Sequence, residues 1–266
     1  MEIREVDSRK EKKAKKHRNK SRAVIFAVCF LIIICLAFWI VTHAIDFPKE
    51  KIKVSGSSVY SAEEILDLTD MSVGDMIFGT NNKKINNTLV EKFPYIQSVE
   101  FKRTVLPEFG VQMIITEGTD VFCYKYDGFF LTADENNKIL SKFTAQPDGT
   151  TLIKTSQKLK LSIGETANIN EADFLNIATI NSTMTKSGYS VGYIDITDNN
   201  SIKILIDNQF IVDFGASNNL EGKVAHLNGM IKEIIVKNGQ NTTGRIDLSA
   251  WTNKNQRGYY EPSNIF

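Results

Sequence analysis

The chain has 266 residues, of which 42% are hydrophobic and 24% charged, and its formal net charge is +1. These totals are ordinary for a globular protein, so they exclude no globular class and the distribution of residues must decide. Residues 1–22 hold ten Lys or Arg and four acidic residues, whereas the remainder holds 22 basic and 27 acidic residues. The near-neutral total therefore conceals a basic tail on a mildly acidic body.

An uncharged stretch of 23 residues, Ala23–Ile45, follows the basic tail. As a helix it would be about 34 Å long, enough to cross a bilayer core of about 30 Å. A cleaved signal peptide has a shorter apolar core, about 7 to 15 residues, and ends in small residues. Bulky Phe38, Trp39 and Ile40 stand where small residues would be needed. The pattern predicts a retained transmembrane helix at residues 23–45.

The basic cluster Lys10–Arg22 immediately precedes this stretch. Cytoplasmic flanks of membrane spans are enriched in Lys and Arg, which predicts a cytoplasmic tail at 1–22 and a body outside the cell. Nucleic-acid binding is another interpretation of such a cluster, but beside a span the cluster already has a topological role, and we expect no nucleic-acid partner. Cys29 and Cys35 lie within the predicted span, so Cys123 has no partner for an intramolecular disulfide outside it.

Residues 46–118 predict a small α+β domain with the order β-α-α-β-β. Ser61 and Glu64 form a capping box at the start of the first helix. The second helix is expected at 82–93, because apolar residues recur every fourth position up to Phe93 and Pro94 stops it. The three strands are expected at 51–54, 95–103 and 111–117.

Residues 119–251 predict a second α+β module, followed by a polar tail at 252–266. Asp127-Gly128 between two apolar runs indicates a tight hairpin. Helices are expected at 171–187 and 219–237, with Gly239 as a stop signal after the longer one. Further strands are expected at 121–126, 129–132, 138–140, 152–154, 193–196, 202–206, 210–214 and 244–249.

Few residue patterns in the chain point to enzymatic chemistry. It contains no Ser-x-x-Lys, and Thr183–Lys186 has that spacing without the serine. His226 and Cys123 do not provide a zinc site, and Asp127 and Asp134 occupy turns that favour Asp for backbone reasons. We therefore expect no catalytic residues, no cofactor and no metal.

Several motifs in chain order resemble the bacterial division family FtsQ/DivIB: the basic tail and single span, Ile52-x-Val54-x-Gly56, Tyr60–Leu66, Phe93–Arg103 with Pro107 and Glu117, and Gly244–Ser249. The resemblance implies a POTRA domain followed by a β domain. It also implies a single-pass protein of the bacterial cell membrane at the division septum. Such a scaffold binds FtsL-like and FtsB/DivIC-like small bitopic proteins and helps control septal peptidoglycan synthesis.

The last predicted strand is the candidate partner site, because only a polar tail follows it and its edge is expected to be exposed. An exposed edge offers unpaired amides and carbonyls, so a partner segment would bind by strand addition. Ile246 and Leu248 would point inward, and Trp251 and Tyr259 would anchor the partner; alternatively, Trp251 caps the core of its own module and the tail is disordered. The candidate residues are Gly244, Arg245, Ile246, Asp247, Leu248, Ser249, Trp251 and Tyr259.

Two other functions stay open at this point. A membrane-anchored cell-wall enzyme with an unrecognised active site would turn over peptidoglycan or a lipid-linked precursor without a partner. A signal receptor would need a cytoplasmic segment able to fold, whereas residues 1–22 are short and highly charged.

Overall fold

The fold is described from a computed structural model of the whole chain. The structure describes residues 26–37, 39, 52–69, 82–104, 110–198 and 200–265. The predicted cytoplasmic tail at 1–22 and the turn at Pro107 lie outside the described residues.

Residues 26–37 form a helix whose large apolar side chains are exposed. Among the described residues, no helix has both the length and the apolar character needed to cross a membrane. The predicted span Ala23–Ile45 continues outside the described residues at both ends and stays a prediction.

The POTRA-like segment contains the predicted order of elements. They are β1 (Ile52–Ser55), α1 (Ala62–Asp67), α2 (Asn82–Lys92), β2 (Ile96–Thr104) and β3 (Gly110–Glu117). The strands form one sheet in the order β1-β3-β2, with β1 parallel to β3. Ile85, Leu89 and Phe93 are buried, as the four-residue spacing of the second helix predicted.

The turn after β1 requires glycine and is held by one carboxylate. Gly56 has φ +88°, and a Cβ there would lie 2.2 Å from the carbonyl oxygen of Ile115. The Glu117 carboxylate accepts hydrogen bonds from the Ser57 and Ser58 hydroxyls, at 2.6 and 2.7 Å, and from the Ser58 and Val59 amides, at 2.8 and 3.3 Å. Burial raises the pKa of Glu117, but these hydrogen bonds outweigh burial and the pKa lies below its usual value.

The second sheet has nine strands in the order β12-β11-β10-β9-β8-β7-β4-β5-β6. Its strands are β4 (Phe122–Tyr126), β5 (Phe129–Ala133), β6 (Ile139–Phe143), β7 (Thr151–Thr155), β8 (Val191–Asp198), β9 (Ser201–Ile206), β10 (Phe210–Asp213), β11 (Gly244–Asp247) and β12 (Tyr259–Pro262). The described chain is thus a mixed α+β protein with a large sheet, and β11 pairs parallel to β10 because the helix α4 (Leu220–Asn238) crosses between them.

Two helices cover one face of this sheet. The helix α3 (Glu171–Lys186) begins after Asn170, whose side chain accepts a hydrogen bond from the Ala172 amide, and α4 ends at Gly239, where φ is +95°. Apolar residues of both helices and of the strands form the main core, which includes Ile177, Ile180, Met184, Val224, Leu227, Ile231, Ile204, Phe210, Val212 and Ile246. Strand side chains alternate between this covered face and an open face.

The chain divides into two compact units. The first comprises the described residues of Met1–Ser55, Ala62–Ile85 and Phe101–Ile114, and the second comprises Gly56–Ser61, Asn86–Glu100 and Ile115–Phe266. The domain boundaries predicted from the sequence stay predictions.

Within the second unit, hydrogen bonds join the end of α2 and the start of β2 to the turn before β6. The Lys138 ammonium donates hydrogen bonds to the carbonyl oxygens of Val90 and Ile96, at 3.1 and 3.2 Å. Gln97 donates to Asp134, whose side chain is 1% exposed and also accepts from the Lys138 amide. Asp134 therefore has a structural role in its turn.

Candidate interaction site at the sheet edge

The predicted edge strand is an inner strand. Gly244–Asp247 pairs with β10 on one side and with β12 on the other, so its backbone is not available to a partner. The expectation that it forms the sheet edge is wrong, because the predicted polar tail contains a further strand. Ile246 and Leu248 are buried as expected, and Arg245, Asp247 and Ser249 are exposed.

The edge of the sheet next to Gly244–Asp247 is β12, and the opposite edge is β6. The Ser263 amide donates to the Thr243 carbonyl, so the backbone N–H and C=O of residue 263 point toward β11. These backbone groups alternate in direction along an antiparallel strand, so those of Tyr259 and Glu261 also point toward β11. The backbone N–H and C=O of Tyr260 and the C=O of Pro262 consequently point away from the sheet. No strand in the described part of the chain pairs with this outer edge, which presents the groups that strand addition requires.

Tyr260 fixes β12 on the sheet. Its ring lies 6.3 Å from that of Phe210, and its hydroxyl donates to the Thr243 carbonyl at 3.0 Å. Burial raises its pKa above the usual value. The ring also lies over Gly244, where an added Cβ would come within 2.5 Å of Tyr260 Cε2. Glycine at 244 is therefore needed for β12 to dock.

Trp251 and Tyr259, the two predicted anchors, have different surroundings. Trp251 is 4% exposed and belongs to the core of its module, with its ring 6.0 Å from His226. This position agrees with the alternative in which Trp251 caps its own core. Tyr259 is 62% exposed on the edge strand and is available to a partner. The segment between them is held where Gly258 packs tightly against Met230.

A groove crosses the open face of the sheet and ends at β12. Its volume is about 560 Å³, and two rows of side chains line it. The strand register places Tyr193, Ile211, Arg245 and Glu261 in one row. The same register places Lys203, Asp213, Asp247 and Tyr259 in the other row. The groove therefore combines apolar and aromatic side chains with five charged ones.

The charges of this groove are incompletely paired. Lys203 lies 3.9 Å from Asp213, while Asp247 stands directly opposite Asp213 on the neighbouring strand. Neither the Arg245 guanidinium nor the Glu261 carboxylate makes a hydrogen bond or ion pair with any residue that the structure describes. Burial and the charge of Asp195 raise the pKa of Tyr193, and the nearby charge of Arg245 partly offsets this.

The described residues that line the groove include no serine, threonine, cysteine or histidine. In the part of the chain that the structure describes, no three His, Cys, Asp or Glu side chains lie close enough together to hold a metal ion. Burial raises the pKa of the Cys123 thiol to about 11, which disfavours the reactive thiolate. An open strand edge beside a charged groove is an arrangement that can accept an extended peptide segment.

Neither β12 nor the groove was predicted from the sequence. The signal for β12 was the aromatic pair at the start of Tyr259–Pro262, since aromatic residues favour strands. No short stretch of the sequence indicates the groove, because its side chains come from five strands that are joined through long-range pairing.

Two comparisons with known proteins bear on this chain. Residues 47–117 match the family model described as POTRA domain, FtsQ-type. A relative named "Cell division protein FtsQ", from Streptomyces coelicolor, is 24% identical over 112 residues, which cover 42% of this chain and 42% of the relative. The match thus spans less than half of the relative's length. Both findings confirm the resemblance to the FtsQ/DivIB family that the sequence motifs indicated.

Proposed function

We propose that this chain is a non-enzymatic scaffold of bacterial cell division. It binds FtsL-like and FtsB/DivIC-like bitopic proteins outside the membrane and helps control septal peptidoglycan synthesis. The match to an FtsQ-type POTRA domain and the relative named as a division protein support this role. The scaffold is held in the cell membrane by a single helix at residues 23–45, a placement supported by the exposed apolar side chains of residues 26–37.

The observation that carries the proposal is the outer edge of β12, with which no described strand pairs. A partner segment in extended conformation adds to this edge and accepts the Tyr260 N–H while donating to the carbonyls of Tyr260 and Pro262. The neighbouring Tyr259 side chain, 62% exposed, supplies apolar contact area for the same segment. Arg245, Asp247 and Ser249 contribute from the exposed side of the neighbouring segment. Gly244 and Ile246 of the same segment pair with β12, whereas Leu248 and Trp251 belong to the core of the module.

Amide hydrogen exchange tests strand addition at this edge. The full chain in detergent micelles is mixed with the extracytoplasmic segments of the FtsL-like and FtsB/DivIC-like proteins of the same cell, and exchange is followed by residue. The Tyr260 amide exchanges freely in the unbound chain and becomes protected in the complex. The Tyr259 and Glu261 amides, already bonded to β11, serve as internal controls and change little. Binding without protection of the Tyr260 amide would disprove strand addition at β12.

The cellular role has its own test. A fluorescent fusion at the N-terminus is imaged through division in cells depleted of the native copy. A midcell band at constriction, together with filamentation on depletion, supports a division scaffold. Uniform membrane fluorescence with normal division contradicts it, and turnover of peptidoglycan by the purified chain alone would favour an anchored wall enzyme.

A further inference from the structure

The groove at the sheet edge constrains the chemistry of the segment that pairs with β12. On the open face, Glu261 is the outermost charged side chain, because it projects from the edge strand itself. A residue placed opposite it on an added strand would lie one strand spacing away, about 4.8 Å. Arg245 is one strand further in, so Glu261 stands between Arg245 and any added strand.

The charges around Glu261 are unbalanced toward the acidic side. The groove holds three carboxylates, Asp213, Asp247 and Glu261, and two cations, Lys203 and Arg245. Lys203 forms an ion pair with Asp213. The Asp247 carboxylate accepts a hydrogen bond from the Ser249 amide. Opposite charges on directly opposed positions of a sheet stabilise strand pairing, and like charges destabilise it.

We infer that the segment that adds to β12 carries a lysine or arginine opposite Glu261, directly next to an apolar residue opposite Tyr260. This inference rests on the proposed strand addition. The basic side chain extends the row of Arg245 and Glu261 with a third, alternating charge, and its aliphatic stem lies along the exposed ring of Tyr259.

The apolar residue of the partner segment is expected because of the side chain on the opposite face of β12. Tyr260 points to the covered face, where its ring packs on Phe210 and is half-buried. Successive residues of the added strand alternate between faces, so the residue adjacent to the basic one continues this apolar surface. The partner motif is therefore a basic and an apolar residue side by side, in an otherwise extended segment.

A charge series at position 261 tests the inference. The full-length chain is immobilised in detergent, and the affinity of the FtsL-like and FtsB/DivIC-like extracytoplasmic segments is measured for wild type, Glu261→Gln and Glu261→Lys. We expect about threefold weaker binding for Glu261→Gln and about tenfold weaker binding for Glu261→Lys. Raising the salt concentration should reduce both differences, because the pair is at the surface.

Glu135→Lys is the matched control, since Glu135 is also exposed but belongs to the turn before β6, the strand at the opposite edge of the sheet. It should bind within twofold of wild type. A partner variant in which the facing Lys or Arg is changed to Glu should restore binding to Glu261→Lys and to no other variant.

Two outcomes overturn the inference while leaving strand addition intact. One is an unchanged affinity for Glu261→Lys when the Tyr260 amide is still protected in the complex. The other is tighter binding of Glu261→Lys, which would mean that the partner presents an acidic side chain to Arg245. Loss of Tyr260 protection in the wild-type complex would instead refute the proposed function itself.

Discussion

The sharpest prediction for stability concerns Lys223, a lysine in the first turn of α4 with no exposed surface. Its ammonium donates hydrogen bonds to the carbonyl oxygens of Phe214 and Ala216, at 2.7 and 2.9 Å, and to Asn218 Oδ1, at 3.2 Å. Burial lowers the pKa of Lys223, and the charge of Asp213 opposes that effect in part. The three N–H groups thus hold together the loop between β10 and α4.

Lys223→Met preserves most of the side-chain volume and removes all three donors. The Phe214 carbonyl is buried, and leaving it unsatisfied costs about 1–3 kcal/mol. The other two acceptors are partly exposed, so water replaces the ammonium and each loss costs less, about 0.5 kcal/mol. The expected loss in the free energy of unfolding is about 3 kcal/mol, a large share of the stability of an ordinary domain.

Urea unfolding followed by the fluorescence of Trp251 measures this loss. Lys237→Met, near the end of the same helix, is the control, because the Lys237 side chain is 74% exposed and its ion pair with Glu233 spans 4.0 Å. That variant should unfold within about 0.5 kcal/mol of wild type. If the two variants unfolded at the same urea concentration, the three hydrogen bonds would not stabilise the loop and the reasoning would fail.

Three further variants test individual contacts. Glu117→Gln should lower the melting temperature at neutral pH. Because the folded-state pKa of Glu117 is lowered, the difference in melting temperature between wild type and variant should vanish as pH falls through this folded-state pKa. Gly56→Ala forces a strained backbone and a clash, and should lower the free energy of unfolding by about 1–3 kcal/mol in urea titrations. Gly222→Ala should lower the melting temperature because its Cβ would meet Trp251 at 2.6 Å, whereas Gly229→Ala, with open space around it, should raise it.

Local elements were predictable where the signal lies within a few residues. The Asp127-Gly128 hairpin has both residues at positive φ, as the sequence pattern requires. The helices α3 and α4 begin and end within one residue of their predicted bounds, because apolar periodicity and the glycine after α4 are local properties. The POTRA-like order of elements followed from the same kind of signal.

The identity of the sheet edge was not predictable in this way. Whether Gly244–Asp247 is an inner or an outer strand depends on its pairing with Phe210–Asp213 and with Tyr259–Pro262. The second of these strands has four residues and is separated from β11 by a polar loop, so its pattern was too short to distinguish from a tail. The ammonium of Lys223 was missed for a similar reason, since its acceptors are backbone carbonyls that no side-chain motif marks.

The composition of β12 fits the proposed strand addition, in which the strand stays open for one partner without pairing with others. An edge strand exposes a template for aggregation, and short length, charge and proline are the usual protections. β12 has four residues, carries Glu261 and ends in Pro262, whose missing N–H interrupts any ladder that would extend past Tyr260. The outward N–H and C=O of Tyr260 and the C=O of Pro262 can make backbone hydrogen bonds to a short added strand. These hydrogen bonds are too few for stable pairing without side-chain contacts. Specificity must then come from Tyr259, Glu261 and the groove beside them, which is why the charge at position 261 should select the partner.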